Sequence, residues 1–131
     1  NEKDYENALE LFDEIIERLE TKSAIDFKDP LEIEYEFKVY NQQCYIYYQQ
    51  REYTKVIKLG EKALEMIQDD SIDKNRYFKI LYGDVASDYR KILKKRLNLS
   101  TLHRLLEESF RRIGLVEKAN EYLKRMKENE S

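Results

Sequence analysis

The residues best suited to chemistry in this chain of 131 residues are one histidine and one cysteine. Protein metal sites usually need several His or Cys ligands, and neither residue has such companions. His103 lies between Leu102 and Leu106 on a predicted helix, which favours a structural role at the surface over a role as a general base. Cys44 lies on an apolar stripe, which predicts a small buried core residue and not a reactive thiol. Glycine-rich phosphate loops and nucleophile elbows are missing from the sequence. We therefore expect no catalytic residue, no cofactor and no metal ion.

The composition predicts a single all-α domain that spans residues 1–131. Charged residues make up 39% of the chain, whereas the sequence holds only 3 Gly and 1 Pro. β-Sandwiches and barrels need many tight turns built with Gly, Asn and Pro, so this scarcity argues against them. A hydrophobic content of 41%, with 11 Tyr and 5 Phe, is too high for a disordered chain.

Hydropathy and cysteine content indicate the compartment. The longest uncharged run, residues 39–50, includes Asn and Gln and falls short of the ~20 apolar residues that a membrane helix needs. The lone Cys44 excludes an internal disulfide, which is typical of a reducing compartment. We expect a cytoplasmic protein without a membrane span. Because the sequence begins Asn-Glu-Lys-Asp and lacks an initiating Met, we interpret it as a fragment of a longer protein.

Charge is distributed unevenly, although the net charge is only −3. Residues 1–20 hold eight acids and two bases, a net charge of −6, and residues 90–112 hold eight bases and two acids, a net charge of +6. We interpret both segments as solvated faces of charged helices. The basic run 90–96 could instead contact phosphates or serve as a localisation tag. Cations near a helix C-terminus also complement the helix dipole, so nucleic-acid binding is the weaker hypothesis.

Apolar residues recur at intervals of three and four along most of the chain, a spacing that predicts about six helices. Asp29, Pro30 and Glu32 form a helix start signal, and Gly114 suits a C-terminal stop. Gly83 would let a second backbone approach its helix closely, at some cost in helix propensity. The predicted helices cover about residues 3–22, 30–50, 53–68, 74–97, 101–113 and 115–128.

The apolar stripes define the predicted core. The second helix carries two such stripes, which predicts that it lies between neighbours. The residues expected in the core are Tyr5, Ala8, Leu9, Phe12, Ile15, Ile16, Leu19, Leu31, Ile33, Tyr35, Phe37, Val39, Tyr40, Cys44, Ile46, Tyr47, Tyr53, Val56, Ile57, Leu59, Ala63, Leu64, Ile67, Phe78, Leu81, Val85, Tyr89, Ile92, Leu102, Leu105, Leu106, Phe110, Ile113, Val116, Ala119, Leu123 and Met126.

Three segments of the chain are similar to one another. They cover residues 4–15, 52–63 and 115–126, and each has an apolar residue followed three positions later by a small or apolar one. Further apolar or small residues follow at intervals of four and three. Repetition of one structural unit is typical of a solenoid, so we predict stacked antiparallel helix pairs.

The segment from Phe37 to Gln68 combines tyrosine, small and apolar residues at a regular spacing. The residues concerned are Tyr40, Gln43, Cys44, Tyr47, Tyr53, Val56, Gly60, Ala63 and Leu64. In this spacing the segment resembles the tetratricopeptide repeat (TPR) family. It departs from the family at Cys44, Gly60 and Gln68, where a small residue, an aromatic residue and a proline are usual. The resemblance implies a right-handed solenoid of irregular, elongated repeats, in which the first helix is the second half of a preceding repeat.

In that family the first helix of each pair lines a groove that holds extended peptides or partner helices. The resemblance implies that the groove residues here are Lys38, Asn41, Tyr45, Tyr48 and Gln49. An Asn amide can donate to and accept from a peptide backbone, Lys can meet a carboxylate, and Tyr offers rigid area with a polar tip. The corresponding residues of the last pair are Arg104, Glu108, Arg111 and Arg112. The alternative is that all of these are ordinary exposed residues or contacts between repeats.

The sequence supports three functional hypotheses. The leading one is a non-catalytic scaffold, the regulatory or sensor part of a larger bacterial regulator, which binds a short peptide or a segment of a partner protein. The second is a structural segment that forms a homodimer through Gly83 and the helix at 74–97. The third is a phosphatase module acting on response regulators, in which the side-chain amide of Gln42, Gln43 or Gln49 positions a water molecule.

Overall fold

The computed structural model describes residues 2–25, 30–68, 80, 97 and 99–130. All regular secondary structure in these residues is helical, which confirms the all-α class. The helices are α1 (Glu2–Ile25), α2 (Pro30–Gln49), α3 (Tyr53–Gln68), α4 (Leu99–Arg112) and α5 (Val116–Glu130). Apart from positions 80 and 97, the predicted helix at 74–97 lies outside the described residues, and so do Gly83 and Asp29. None of the described helices has the length and apolar character needed to cross a membrane.

A tight turn joins α2 to α3. Arg51 has a positive φ of 62°, and the backbone N–H of Glu52 donates to the carbonyl oxygen of Tyr47 at 2.8 Å. A left-handed residue followed by such a backward hydrogen bond is the Schellman ending of a helix. So short a turn makes the two helices antiparallel.

The turn from α4 to α5 repeats this arrangement. Gly114 has a φ of 88°, and the N–H of Leu115 donates to the carbonyl oxygen of Phe110 at 2.9 Å. Gly114 is therefore confirmed as the stop of its helix. The three residues of this turn, Phe110, Gly114 and Leu115, each lie 63 positions after their counterparts Tyr47, Arg51 and Glu52. The similar segments 52–63 and 115–126 have the same offset. The similarity between the segments thus extends to backbone geometry.

The two helix pairs are joined by α4. In the described part of the chain, α1 packs on α2, α2 on α3 and α5 on α4, while α4 also contacts both α2 and α3. One core runs through these contacts. Its completely buried side chains include Phe37, Val56, Ile67, Leu102 and Leu106.

α3 and α4 approach each other closely at Gly60. A Cβ atom added to this glycine would lie 2.6 Å from Cδ2 of Leu106, which is shorter than van der Waals contact allows. Leu106 is itself completely buried. The glycine therefore makes room for a leucine of the next helix pair, which is a physical reason for the absence of a larger residue at this position.

Several residues expected in the core are instead exposed. Tyr35 is 50% exposed, Ile113 43%, Val116 48% and Leu123 37%. In the predicted stripe of α1, Ile16 is buried and the other members are half-buried. Periodicity identifies an apolar face of a helix but does not show whether a neighbour covers it. The prediction was wrong for the faces that no described helix covers.

Candidate binding face

The five residues expected to contact a ligand lie together on one face of α2. Lys38, Tyr45 and Gln49 are exposed, and Tyr45 keeps 49% of its surface accessible. Asn41 and Tyr48 are half-buried along one border of this face, where Tyr48 reaches α4. Their spacing of three and four residues places all five on one side of the helix. We call these five residues the α2 face.

Tyr48 links the α2 face to α4. Its hydroxyl donates a hydrogen bond of 2.5 Å to a carboxylate oxygen of Glu108. Its ring meets that of Tyr53 edge-on, with the ring centres 5.6 Å apart. The hydrogen bond to Glu108 raises the pKa of Tyr48 above 10 and burial adds to this, whereas the charge of Arg112 lowers it. Since two neighbours already hold the ring, a ligand that packs on it has little side-chain entropy to remove.

Asn41 carries an unused hydrogen-bond acceptor. Its Oδ1 atom is buried and accepts no hydrogen bond from the residues that the structure describes. A buried acceptor without a donor costs about 1–3 kcal/mol. The side chain as a whole is only half-buried, so this buried oxygen reaches a ligand once the side chain rotates. An N–H group of a ligand would satisfy this oxygen.

Basic side chains border the α2 face. Nζ of Lys38 lies 3.6 Å from a carboxylate oxygen of Glu34, yet 62% of the Lys38 side chain is exposed. On α4, Arg104 and Arg112 are exposed. Arg112 lies close enough to influence the pKa of Tyr48. Lys38 and Arg112 are placed to attract an anionic group of a ligand, and Arg104 lies one helical turn before Glu108, the α4 residue that Tyr48 contacts.

Arg111 and Glu108, the other two α4 residues expected to correspond to the α2 face, form contacts within the protein. Nη2 of Arg111 lies 2.7 Å from a carboxylate oxygen of Glu107 and donates to Oδ1 of Asn120 at 3.1 Å. Glu108 accepts the hydrogen bond of Tyr48. Of the residues expected from the last helix pair, Arg104 and Arg112 therefore remain the better candidates for ligand contacts.

A polar layer on the core side of α2 attaches α1. Nε2 of Gln43 donates to Asp13 at 2.8 Å, and the hydroxyl of Tyr40 donates to Glu20 at 3.0 Å. Nζ of Lys62 on α3 lies 2.7 Å from the same oxygen of Glu20. This carboxylate ties α1 to both α2 and α3. This layer is not expected from the sequence, in which a glutamine beside an apolar stripe is its one visible sign.

Cys44 is buried, as predicted. The residue is 0% exposed, and its Sγ lies 3.7 Å from the carbonyl oxygen of Val56 on α3. Burial raises the pKa of the thiol to about 12. Because the thiolate is the reactive form, the native protein holds this sulfur in an unreactive state at neutral pH.

His103 is buried, which corrects the surface position expected from the sequence. The residue is only 3% exposed, and its ring centre lies 6.0 Å from that of Tyr122 on α5. Burial lowers the pKa of the imidazole, and the charge of Arg125 lowers it further. His103 stands 63 positions after Tyr40, another buried ring. It therefore takes the place of a core aromatic residue in the second helix pair.

Two observations bear on catalysis. Gln43 is 2% exposed and its amide nitrogen is bound to Asp13, so this amide is not available to position a water molecule at the surface. Gln42 and Gln49 are exposed. In the part of the chain that the structure describes, no group of three His, Cys, Asp or Glu side chains could hold a metal ion.

Comparison with protein-family models, with curated proteins and with solved structures gives no match for this chain. The TPR resemblance thus stays a prediction from the residues that carry it. The function of this chain is therefore inferred from the geometry of the α2 face and of the helices that support it.

Proposed function

We propose that this chain is a non-catalytic scaffold whose α2 face binds a short peptide or an extended segment of a partner protein. In this proposal it is the regulatory or sensor part of a larger, cytoplasmic bacterial regulator built from TPR-like helix pairs. Support for stacked pairs comes from the identical turns at Arg51 and Gly114 and from the contacts of α4 with both members of the first pair.

The observation that carries the proposal is the combination of an unused acceptor and an exposed ring on one helix face. Asn41 and Tyr45 are one helical turn apart; the first has an unsatisfied buried oxygen and the second exposes 49% of its surface. A peptide supplies N–H groups for such an oxygen and flat apolar surface for such a ring.

The charges around the α2 face favour a ligand that carries carboxylates. Lys38, Arg104 and Arg112 are exposed, whereas the carboxylates of Glu34 and Glu108 at this face are engaged, Glu34 beside Lys38 and Glu108 with the hydroxyl of Tyr48. Electrostatic attraction of this kind raises the rate of association and weakens with salt. We expect acidic peptides to bind more tightly than neutral ones.

The two alternatives have less support. Self-association through Gly83 and the helix at 74–97 concerns residues outside the described part of the chain. A phosphatase would use Gln42 or Gln49, since Gln43 is buried and bound to Asp13.

The test is a selection of random peptides of about twelve residues on the immobilised chain, followed by titration of the best binder. Asn41→Ala and Tyr45→Ala should each weaken binding at least about tenfold, because each removes a central contact. Lys58→Ala, an exposed substitution on α3, is the matched control and should leave affinity unchanged. Thermal unfolding of every variant checks that the fold is intact.

Either of two results would refute the proposal. The first is a selection that yields no binder. The second is a binder whose affinity survives both substitutions on the α2 face, which would place its site elsewhere.

A further inference from the structure

Between positions 32 and 49, the exposed residues of α2 form a narrow strip along the helix. The helical repeat of 3.6 residues places them within a sector about 80° wide. They recur at intervals of three and four and are Tyr35, Lys38, Gln42, Tyr45 and Gln49. We call these five residues the α2 strip. It shares three members with the α2 face and adds Tyr35 and Gln42.

Both sides of the α2 strip are covered by the protein. Val39 and Ile46 adjoin the strip on one side, and they are only 4% and 6% exposed. Asn41 and Tyr48 adjoin it on the other side, where both are half-buried and the hydroxyl of Tyr48 donates to Glu108 of α4. A ligand that contacts several residues of the strip must therefore lie lengthwise along α2.

The α2 strip holds two tyrosines that are equally accessible. Tyr35 is 50% exposed and Tyr45 is 49% exposed. Ten residues separate them, which corresponds to about 15 Å along the helix axis at a rise of 1.5 Å per residue. A tyrosine offers a large, rigid contact area at a low cost in side-chain entropy. The strip therefore has two anchor points for apolar groups of a ligand, one at each tyrosine.

Side-chain amides lie between the two tyrosines. Gln42 is exposed, and the Oδ1 atom of Asn41 accepts no hydrogen bond from the residues that the structure describes. An extended peptide presents backbone N–H and C=O groups to such amides along its whole length, whereas a helix has already paired most of its own. The amides thus favour an extended ligand over a helical one.

The distance between the tyrosines selects a spacing in the ligand. In an extended chain, side chains on the same side recur at every second residue, so residues two, four and six apart are separated by about 7, 13 and 20 Å. The separation of four residues comes closest to the distance between Tyr35 and Tyr45. We infer that the ligand is an extended segment with two apolar side chains four residues apart, which pack on Tyr35 and Tyr45. This inference rests on the proposed function, names the class of peptide that the α2 face binds, and assigns Tyr35 as a second anchor.

The tightest-binding peptide from the selection described above is the probe for this inference. Tyr35→Ala should weaken its binding at least about tenfold, because the substitution removes one of two anchors. Tyr35→Phe keeps the ring and should retain affinity. Leu11→Ala is the matched control, since Leu11 is a comparably exposed apolar residue on α1, at 56%, and it should bind like the unaltered chain. Thermal unfolding of each variant checks the fold, which should survive because both substituted side chains are at least half exposed.

Changes in the peptide test the spacing itself. A shift of one apolar residue by a single position turns its side chain to the other side of an extended chain, so it should weaken binding at least about tenfold. In a peptide with alanine at the apolar residue that packs on Tyr35, Tyr35→Ala should have no further effect, because the two changes remove the same contact.

Two results would overturn this inference and leave the proposed function intact. In the first, Asn41→Ala and Tyr45→Ala weaken binding but Tyr35→Ala does not. In the second, an alanine scan of the peptide shows essential residues at a helical spacing of three and four. If none of the three substitutions on α2 weakens binding, the inference and the proposed function both fail.

Discussion

Substitution of Gly60 by Ala tests the close contact between α3 and α4. An alanine stabilises a helix interior by about 1 kcal/mol relative to glycine. Here the added Cβ would lie 2.6 Å from Cδ2, 3.0 Å from Cγ and 3.2 Å from Cδ1 of Leu106. Leu106 is completely buried, so it cannot turn aside without disturbing the core. Overpacking of this kind costs about 1–3 kcal/mol. We expect Gly60→Ala to lower the free energy of unfolding by about 0–2 kcal/mol in total.

A double-mutant cycle separates the two opposing effects. Leu106→Ala alone should cost about 2–5 kcal/mol, because it leaves a cavity in the core. In that background Gly60→Ala no longer meets the leucine, so it should raise the free energy of unfolding by about 1 kcal/mol. The sign of the effect of Gly60→Ala therefore reverses between the two backgrounds, with a coupling of about 1–3 kcal/mol.

Urea unfolding followed by circular dichroism is a suitable assay. Comparison of Lys58→Gly with Lys58→Ala, at an exposed site of the same helix, measures the propensity difference directly. If Gly60→Ala in the unaltered chain is stabilising by the same amount as that comparison shows, Leu106 does not cover Gly60 and the packing of α4 on α3 is wrong.

Three further predictions concern titratable side chains. Cys44 should resist alkylation at neutral pH in the native protein and react once urea unfolds it, because burial raises its pKa to about 12; rapid labelling of the native chain would contradict its burial. Burial lowers the pKa of His103, so the unfolded chain binds the proton more readily and the free energy of unfolding should fall as pH drops below about 6.5. His103→Asn should flatten this part of the pH profile. An unchanged slope in that variant would show that His103 is not its origin. Tyr48→Phe should lower the free energy of unfolding by about 1 kcal/mol and should reduce the loss of stability above pH 10, since the hydrogen bond to Glu108 raises the pKa of Tyr48. The double variant Glu108→Gln/Tyr48→Phe should lose no more free energy of unfolding than Tyr48→Phe alone. A double variant that loses the sum of the two single losses would contradict this hydrogen bond.

The helices could be predicted well from the sequence because most of their apolar stripes face a neighbour. Phe37, Cys44 and Val56 were placed in the core by spacing alone, and all three are completely buried. The end of α4 could also be predicted, because the positive φ that ends a helix favours glycine and position 114 is a glycine. Arg51 takes the same conformation without being glycine, so the matching turn before α3 carried no such signal.

The wrong assignments concern which faces are covered. Leu123 has the spacing of a core residue but is 37% exposed, because a local pattern does not show whether a neighbouring helix covers the stripe. His103 was placed at the surface because of its polarity, yet α4 and α5 bury it at the position that corresponds to Tyr40. Tertiary packing overrides residue type at such positions.

The candidate site could be predicted only in part. The helical spacing correctly brought Lys38, Asn41 and Tyr45 to one face of α2. The hydrogen bond from Tyr48 to Glu108 joins residues 60 positions apart, so it could not be predicted from local spacing. The unsatisfied oxygen of Asn41 is likewise a product of three-dimensional packing.

The measurement that tests the central claim most directly is an NMR titration of the ¹⁵N-labelled chain with the best peptide from the selection. The proposal predicts that the largest shift changes fall on Lys38, Asn41, Tyr45, Tyr48 and Gln49, with smaller changes on the exposed side of α4. Changes concentrated on the exposed residues of α3, or spread evenly over the chain, would contradict it.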